Sequence, residues 1–219
     1  VTDTVVINDN TTAIISGPNP INGNNIWFCH SLVMNDGRIE TVTGSNNASL
    51  HVQHDATFNG GQLALGTTIF GDAIFSASTP ILYLMGGFNF NFYGTSQQYS
   101  NISFQNSSVL VNYGTYNIYT TVLGISGNNG KFRNFGNLHK WNSLPLQFNV
   151  PLENETTGVF TIHEGTVKTS VGISINKYKF IIDENAILEV NNSGLQLYVN
   201  SIVEGLGKFI INNSFSGGG

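Results

Sequence analysis

Along most of this chain, hydrophobic and polar residues alternate with a period of two, in runs of four to eight. Asp3-Thr4-Val5-Val6-Ile7, Ser49-Leu50-His51-Val52, Ser108-Val109-Leu110-Val111 and Ala186-Ile187-Leu188-Glu189-Val190 are examples. These runs are rich in Val, Ile, Phe, Tyr and Thr and are bounded by Gly, Asn, Ser and Asp, the pattern of short β-strands. No hydrophobic period of 3.6 is sustained, so no helix is predicted. Turn signals separate the strands: Asn35-Asp36-Gly37, Asn59-Gly60-Gly61, Asn128-Asn129-Gly130 and Asn192-Ser193-Gly194. Such residues tolerate the positive φ of sharp turns.

The strands belong to a repeat. Asn112-Tyr113-Gly114 recurs as Asn134-Phe135-Gly136 and again as Thr156-Thr157-Gly158, two steps of 22 residues. Earlier units surround Gly94 and Gly71. An aromatic residue precedes the glycine in four of these five units: Phe70, Tyr93, Tyr113 and Phe135. One coil turn per repeat explains the pattern: two or three strands and their corners, stacked in parallel so that each position lies on its own repeat. The prediction is an all-β fold, a single elongated parallel β-solenoid over residues 1–219 with rungs of about 22 residues, most regular over 69–179. An antiparallel β-sandwich is the alternative, since two of its strands imitate one rung. Asn at an inward corner is expected to form a side-chain amide ladder.

Composition changes the picture of where the chain works. Charged residues make up only 10% of it, and no Asp, Glu, Lys, Arg or His lies between Asp72 and Lys131. Thirty Asn, 19 Ser and 19 Thr carry the polarity instead. A protein that gives up surface charge needs another means of staying in solution, such as glycans or packing into an assembly. We therefore expect an extracellular or cell-surface location. The start at Val1 and the glycine tail 217–219 are read as a processed chain or a piece of a longer one. A net charge of −5 without a basic stripe argues against nucleic acid, and no apolar run is long enough to span a bilayer. The single cysteine, Cys29, excludes an internal disulfide framework and is read as a small buried hydrophobe.

Candidate chemistry is sparse. Seven sequons mark glycosylation candidates at Asn10, Asn47, Asn101, Asn106, Asn154, Asn191 and Asn212, no more than so asparagine-rich a chain carries by chance. Phe88, Phe90 and Phe92 share one face of a strand, either as a platform for sugar rings or, more simply, as core. Glu153 and Glu155 share a face and are the carboxylate pair closest to a glycosidase arrangement. His51 and His54 point to opposite faces, and His30, His139 and His163 are read as isolated, so neither a metal site nor a cofactor is predicted. Nucleophile and phosphate-loop motifs are absent.

The units around Gly114, Gly136 and Gly158, with the stretch 182–194, resemble rungs of extracellular parallel β-helix surface proteins of the adhesin type. That resemblance implies attachment or scaffolding and carries over no functional residue. The expected function is thus a non-enzymatic structural or adhesive scaffold whose partners are copies of itself or other surface and matrix proteins. A carbohydrate-binding or polysaccharide-cleaving β-helix, touching glycans through Phe88, Phe90, Phe92, Glu153 or Glu155, is one alternative. A filament subunit joined through strand edges is another.

Overall fold

A computed structural model describes residues 3–8, 11–15, 26–41, 48–76, 81–120, 124–127, 129–172, 174–191 and 195–212. The described residues form 29 short strands and no helix. Each strand is followed by one in the next of three sheets, so the chain winds as a three-sided coil. Sheet 1 has ten strands, from Thr4–Ile7 to Ile202–Glu204. Sheet 2 has ten, from Thr12–Ile15 to Lys208–Ile211, and sheet 3 has nine, from Ile26–Cys29 to Leu195–Leu197. The pairings are parallel, for example Thr115↔Asn137 and Asn137↔Val159 in sheet 1. This is a β-solenoid, not an antiparallel sandwich. The regular rungs extend beyond 69–179, back to Thr4 and on to Ile211.

Alternation places one residue in two inside. Leu32, Met34, Phe58, Phe75, Phe90, Phe104, Phe132, Phe148 and Phe160 are fully buried along the coil axis. Core rings meet edge to face, as Phe132–Phe148 (6.0 Å between centroids) and Phe160–Phe180 (5.6 Å) do, or stack in parallel, as Phe58–Phe75 (5.3 Å) do. Some buried polar groups are matched across the core. Tyr116 Oη donates to Gln98 Oε1 (3.1 Å), and Gln98 Nε2 donates to the Gly124 carbonyl (2.6 Å). On the last described rung the inward Leu195, Val203 and Phe209 are only partly covered.

The predicted amide ladder is present. Asn112, Asn134, Asn154 and Asn176 lie in register, each fully buried at the end of a sheet 3 strand. Asn112 Nδ2 donates to Asn134 Oδ1 (2.8 Å), Asn134 to Asn154 (2.8 Å) and Asn154 to Asn176 (2.9 Å). The same Nδ2 atoms also hold corner carbonyls, such as Gly158 and Lys179 for Asn154. The first oxygen, Asn112 Oδ1, has no partner, because its neighbour in the preceding rung is Phe92.

The ladder corrects one detail of the repeat. Asn134 is matched by Asn154, not Thr156, so this step is 20 residues although the glycine step is 22. The rung at 152–162 inserts two residues at its corner, where the Gly158 N–H closes a turn on the Glu155 carbonyl (2.9 Å). In the regular corners glycine is required by close approach: a Cβ on Gly114 would lie 2.2 Å from the Gly94 carbonyl oxygen. Positive φ falls elsewhere, as at Asp36 in the first predicted turn.

Candidate functional site

Rung stacking turns each outward position into a column, and the columns decide what the surface offers. At the corner between sheets 3 and 1, the four aromatic residues of the repeat form one stack. Phe70–Tyr93, Tyr93–Tyr113 and Tyr113–Phe135 have centroids 5.5, 4.7 and 5.2 Å apart and planes within 16° of parallel. The Arg133 guanidinium covers the end of the stack, 5.1 Å from the Phe135 centroid. Phe70, Tyr93 and Tyr113 are exposed, but they present edges to water. Each face of Tyr93 and Tyr113 is covered by a neighbouring ring, so the stack does not offer the open ring faces on which sugars lie.

Of the three phenylalanines considered as sugar contacts, Phe90 and Phe92 are buried in the core and are excluded. Phe88 packs partly on the core and lines a shallow groove of about 320 Å³ over sheet 3, with His51, Thr68, Asn89 and Asn91. The groove mixes amide and hydroxyl groups with apolar surface from Ala48 and Phe88.

Glu153 and Glu155 do come together, but inside an ion-pair network. Glu153 accepts from Lys131 (2.7 Å) and Arg133 (3.2 Å), and Glu155 from Arg133 (2.6 Å) and Lys177 (2.7 Å). Glu155 is only 5% exposed. Burial pushes its carboxyl upward, yet hydrogen bonds from Lys177 and Arg133 outweigh burial and hold it below the ordinary range. A general acid needs the opposite shift, so Glu155 is built to stay ionised. Lys168–Glu189 and Lys179–Glu204 bridge rungs in the same way.

The sequons are not equivalent. Asn154 is a ladder residue whose Nδ2, the atom a glycan would occupy, is buried and bonded, so a sugar there is incompatible with this fold. Asn191 and Asn212 are hydrogen-bonded to each other (2.7 Å) and to Glu189. Asn101 is half-buried and Asn106 stands on an exposed turn. Asn10 and Asn47 lie outside the described residues.

Histidines that look isolated in sequence are paired by the rung step. His30 and His54 form a tilted pair with centroids 4.0 Å apart. His139 Nδ1 lies 3.1 Å from His163 Nε2, and His163 Nδ1 lies 2.8 Å from Asp183 Oδ2. Trp141 lies flat on His163, 3.8 Å between centroids, and its indole N–H donates to Asn117 Oδ1 (2.8 Å). Burial and the neighbouring His163 both lower the pKa of His139. Residues 139–163 and 30–54 are both 24 apart, one or two beyond the register step, which sets His139 opposite Thr161 and Cys29 opposite Val52.

One buried charge went unnoticed in the sequence. Lys140 occupies a core position that Ile118 and Ile162 hold in adjacent rungs. Its ammonium donates to the Asn142 carbonyl and side-chain oxygens and to the Glu164 carbonyl (3.4 Å). Burial brings its pKa down to about 8. Cys29 is buried as expected, and burial raises its thiol to about 11, which keeps it unreactive.

Comparison with protein-family models, with curated proteins and with solved structures yields no match. No helix among the described residues is long and apolar enough to cross a membrane.

Proposed function

We propose that this protein is a rigid extracellular scaffold, a surface or matrix module that holds its partners at a distance and does no chemistry on them. One observation carries this reading: five of the eight lysine and arginine side chains join rungs. Lys131, Arg133, Lys168, Lys177 and Lys179 each reach a carboxylate on an adjacent rung. The pair best placed for glycosidase work, Glu153 and Glu155, is engaged by three cations. The charge-poor surface supports placement outside the cell, and the resemblance to adhesin-type rungs supports attachment. The partners implied are copies of this chain, other surface proteins, or glycans.

At a strand spacing of about 4.8 Å, the ten strands of sheet 1 extend roughly 43 Å along the axis. Antibody labelling of intact, unpermeabilised source cells should decorate their exterior. Purified protein should release no reducing ends from a panel of polysaccharides. Labelling confined to the cell interior, or sugar release that Glu153→Gln abolishes, would sink the proposal.

The groove beside Phe88 favours a second reading, glycan binding without cleavage. Its His51, Thr68, Asn89 and Asn91 side chains suit hydroxyl-rich ligands. A glycan array probed with wild type and with Asn91→Ala decides it: binding that survives the substitution, or no binding at all, removes this groove from consideration.

A further inference from the structure

The cluster on the outer side of sheet 1 plays no part in the scaffold reading and is ordered by something other than core packing. Among the described residues no three His, Cys, Asp or Glu side chains converge as a metal cage. What this surface offers is two imidazole nitrogens facing each other.

The hydrogen bonds fix the tautomers. A carboxylate oxygen accepts, so His163 Nδ1 carries a hydrogen toward Asp183 Oδ2 (2.8 Å), which leaves Nε2 as the nitrogen with a lone pair in the neutral form of the ring. That lone pair faces His139 Nδ1 at 3.1 Å. The ring centroids are 5.3 Å apart and the planes differ by 17°, so the two rings lie nearly edge to edge in one plane. His139 Nδ1 supplies the hydrogen between them. If that hydrogen moves to His139 Nε2, two lone pairs face each other across 3.1 Å, and a cation shared between them relieves the repulsion.

We propose that His139 Nδ1 and His163 Nε2 form a two-point site for a divalent transition ion that favours imidazole, with copper(II) held most tightly and nickel(II) and zinc(II) less so. Nitrogens 3.1 Å apart both reach one ion at 2.0–2.1 Å with an N–metal–N angle of about 100°. That is an adjacent pair of positions in tetrahedral, square-planar or octahedral coordination; the ion sits about 40° off the N···N line, so both side chains swing by that much to aim their lone pairs at it. His139 shifts its hydrogen from Nδ1 to Nε2, so the neutral pair binds without releasing a proton. Asp183 is the carboxylate that a metal-bound histidine ordinarily engages through its second nitrogen, orienting the ring and raising its basicity. Trp141, lying over His163 and tied to Asn117, restrains the ring about which the site is built. Water completes the coordination, so the site is open. The inference stands whether or not the protein is a scaffold.

Titration of the whole chain with copper(II) in a non-chelating buffer, followed by calorimetry and electron paramagnetic resonance, tests it. One ion per chain should bind here, with a nitrogen hyperfine signature from two imidazoles. His139→Gln or His163→Gln should weaken that binding at least tenfold, and Asp183→Asn by roughly ten- to a hundredfold. His30→Gln/His54→Gln, which removes the tilted His30–His54 pair, should leave it unchanged. Circular dichroism identical to wild type establishes that each variant keeps the fold. Binding that follows His30 and His54, a single-nitrogen signature, or affinity indifferent to His139 and His163 would overturn the assignment.

Discussion

At the scale of single residues, the amide ladder shows how polar side chains replace charge inside this fold. Asn134 and Asn154 in the middle of the ladder both donate and accept, so a substitution there is felt in two directions. Asn134→Ala removes the acceptor of Asn112 and the donor to Asn154 in a site closed to water. We expect a loss of about 2–4 kcal/mol in urea unfolding from two broken buried bonds. Asn134→Asp should cost more, since a carboxylate cannot donate to Asn154 Oδ1 and brings a buried charge. Glu155 gives a pH dependence whose sign follows from its lowered pKa. A carboxyl held below its ordinary 4.5 in the fold contributes stability that is fully present above that value. The contribution is lost as the pH falls through the folded-state pKa. Wild type should therefore lose more stability than Glu155→Gln between about pH 5 and pH 3, measured as urea midpoints across that range. Lys140 was not legible at this scale, because a lysine bounding a strand reads as solvated until the column of isoleucines around it is known.

At the scale of the rung, each corner is a close contact between backbones, and glycine is the residue that allows it. Gly114→Ala would drive a methyl group into the Gly94 carbonyl, and no rotamer relieves a Cβ clash. We expect at least about 3 kcal/mol of destabilisation from the backbone shift, seen as an earlier thermal transition. The corner glycines and the aromatic residues before them were both legible, and the structure joins them: close approach at the glycine brings the preceding rings into stacking distance. The step between Gly136 and Gly158 misled, because two extra corner residues compensate a rung shortened by two. Spacing between glycines cannot distinguish an ordinary rung from one that is short on one side and long on another. The inward asparagines, whose amides must meet, record the true register.

At the scale of the molecule, the coil was readable because its periodicity is redundant: hydrophobic alternation, turn residues and the glycine step agree on parallel stacking. The pairing of distant side chains was not readable at first sight. His139 and His163, or Lys131 and Glu153, are neighbours only through the rung step, and residues about 22 positions apart look unrelated until that step is imposed. The candidate sites suffered most from this. Two of the three phenylalanines went to the core and the carboxylate pair went to ion pairing, while the histidines came together.

The amide ladder has a direction, since every Nδ2 from Asn112 to Asn154 gives its hydrogen to the following rung. A whole rung carrying asparagine at this position, copied anywhere between residues 112 and 176, would accept from one side, donate to the other and leave no bond unmade. The same copy placed ahead of Asn112 would need to displace Phe92 from its contact with that asparagine. Single residues can be added only where the backbone leaves the sheets, as the corner after Asn154 already illustrates. Length in this protein is therefore a modular quantity: it can change by full turns within the ladder, and the spacing between whatever is attached to its two ends would change in increments of one strand separation.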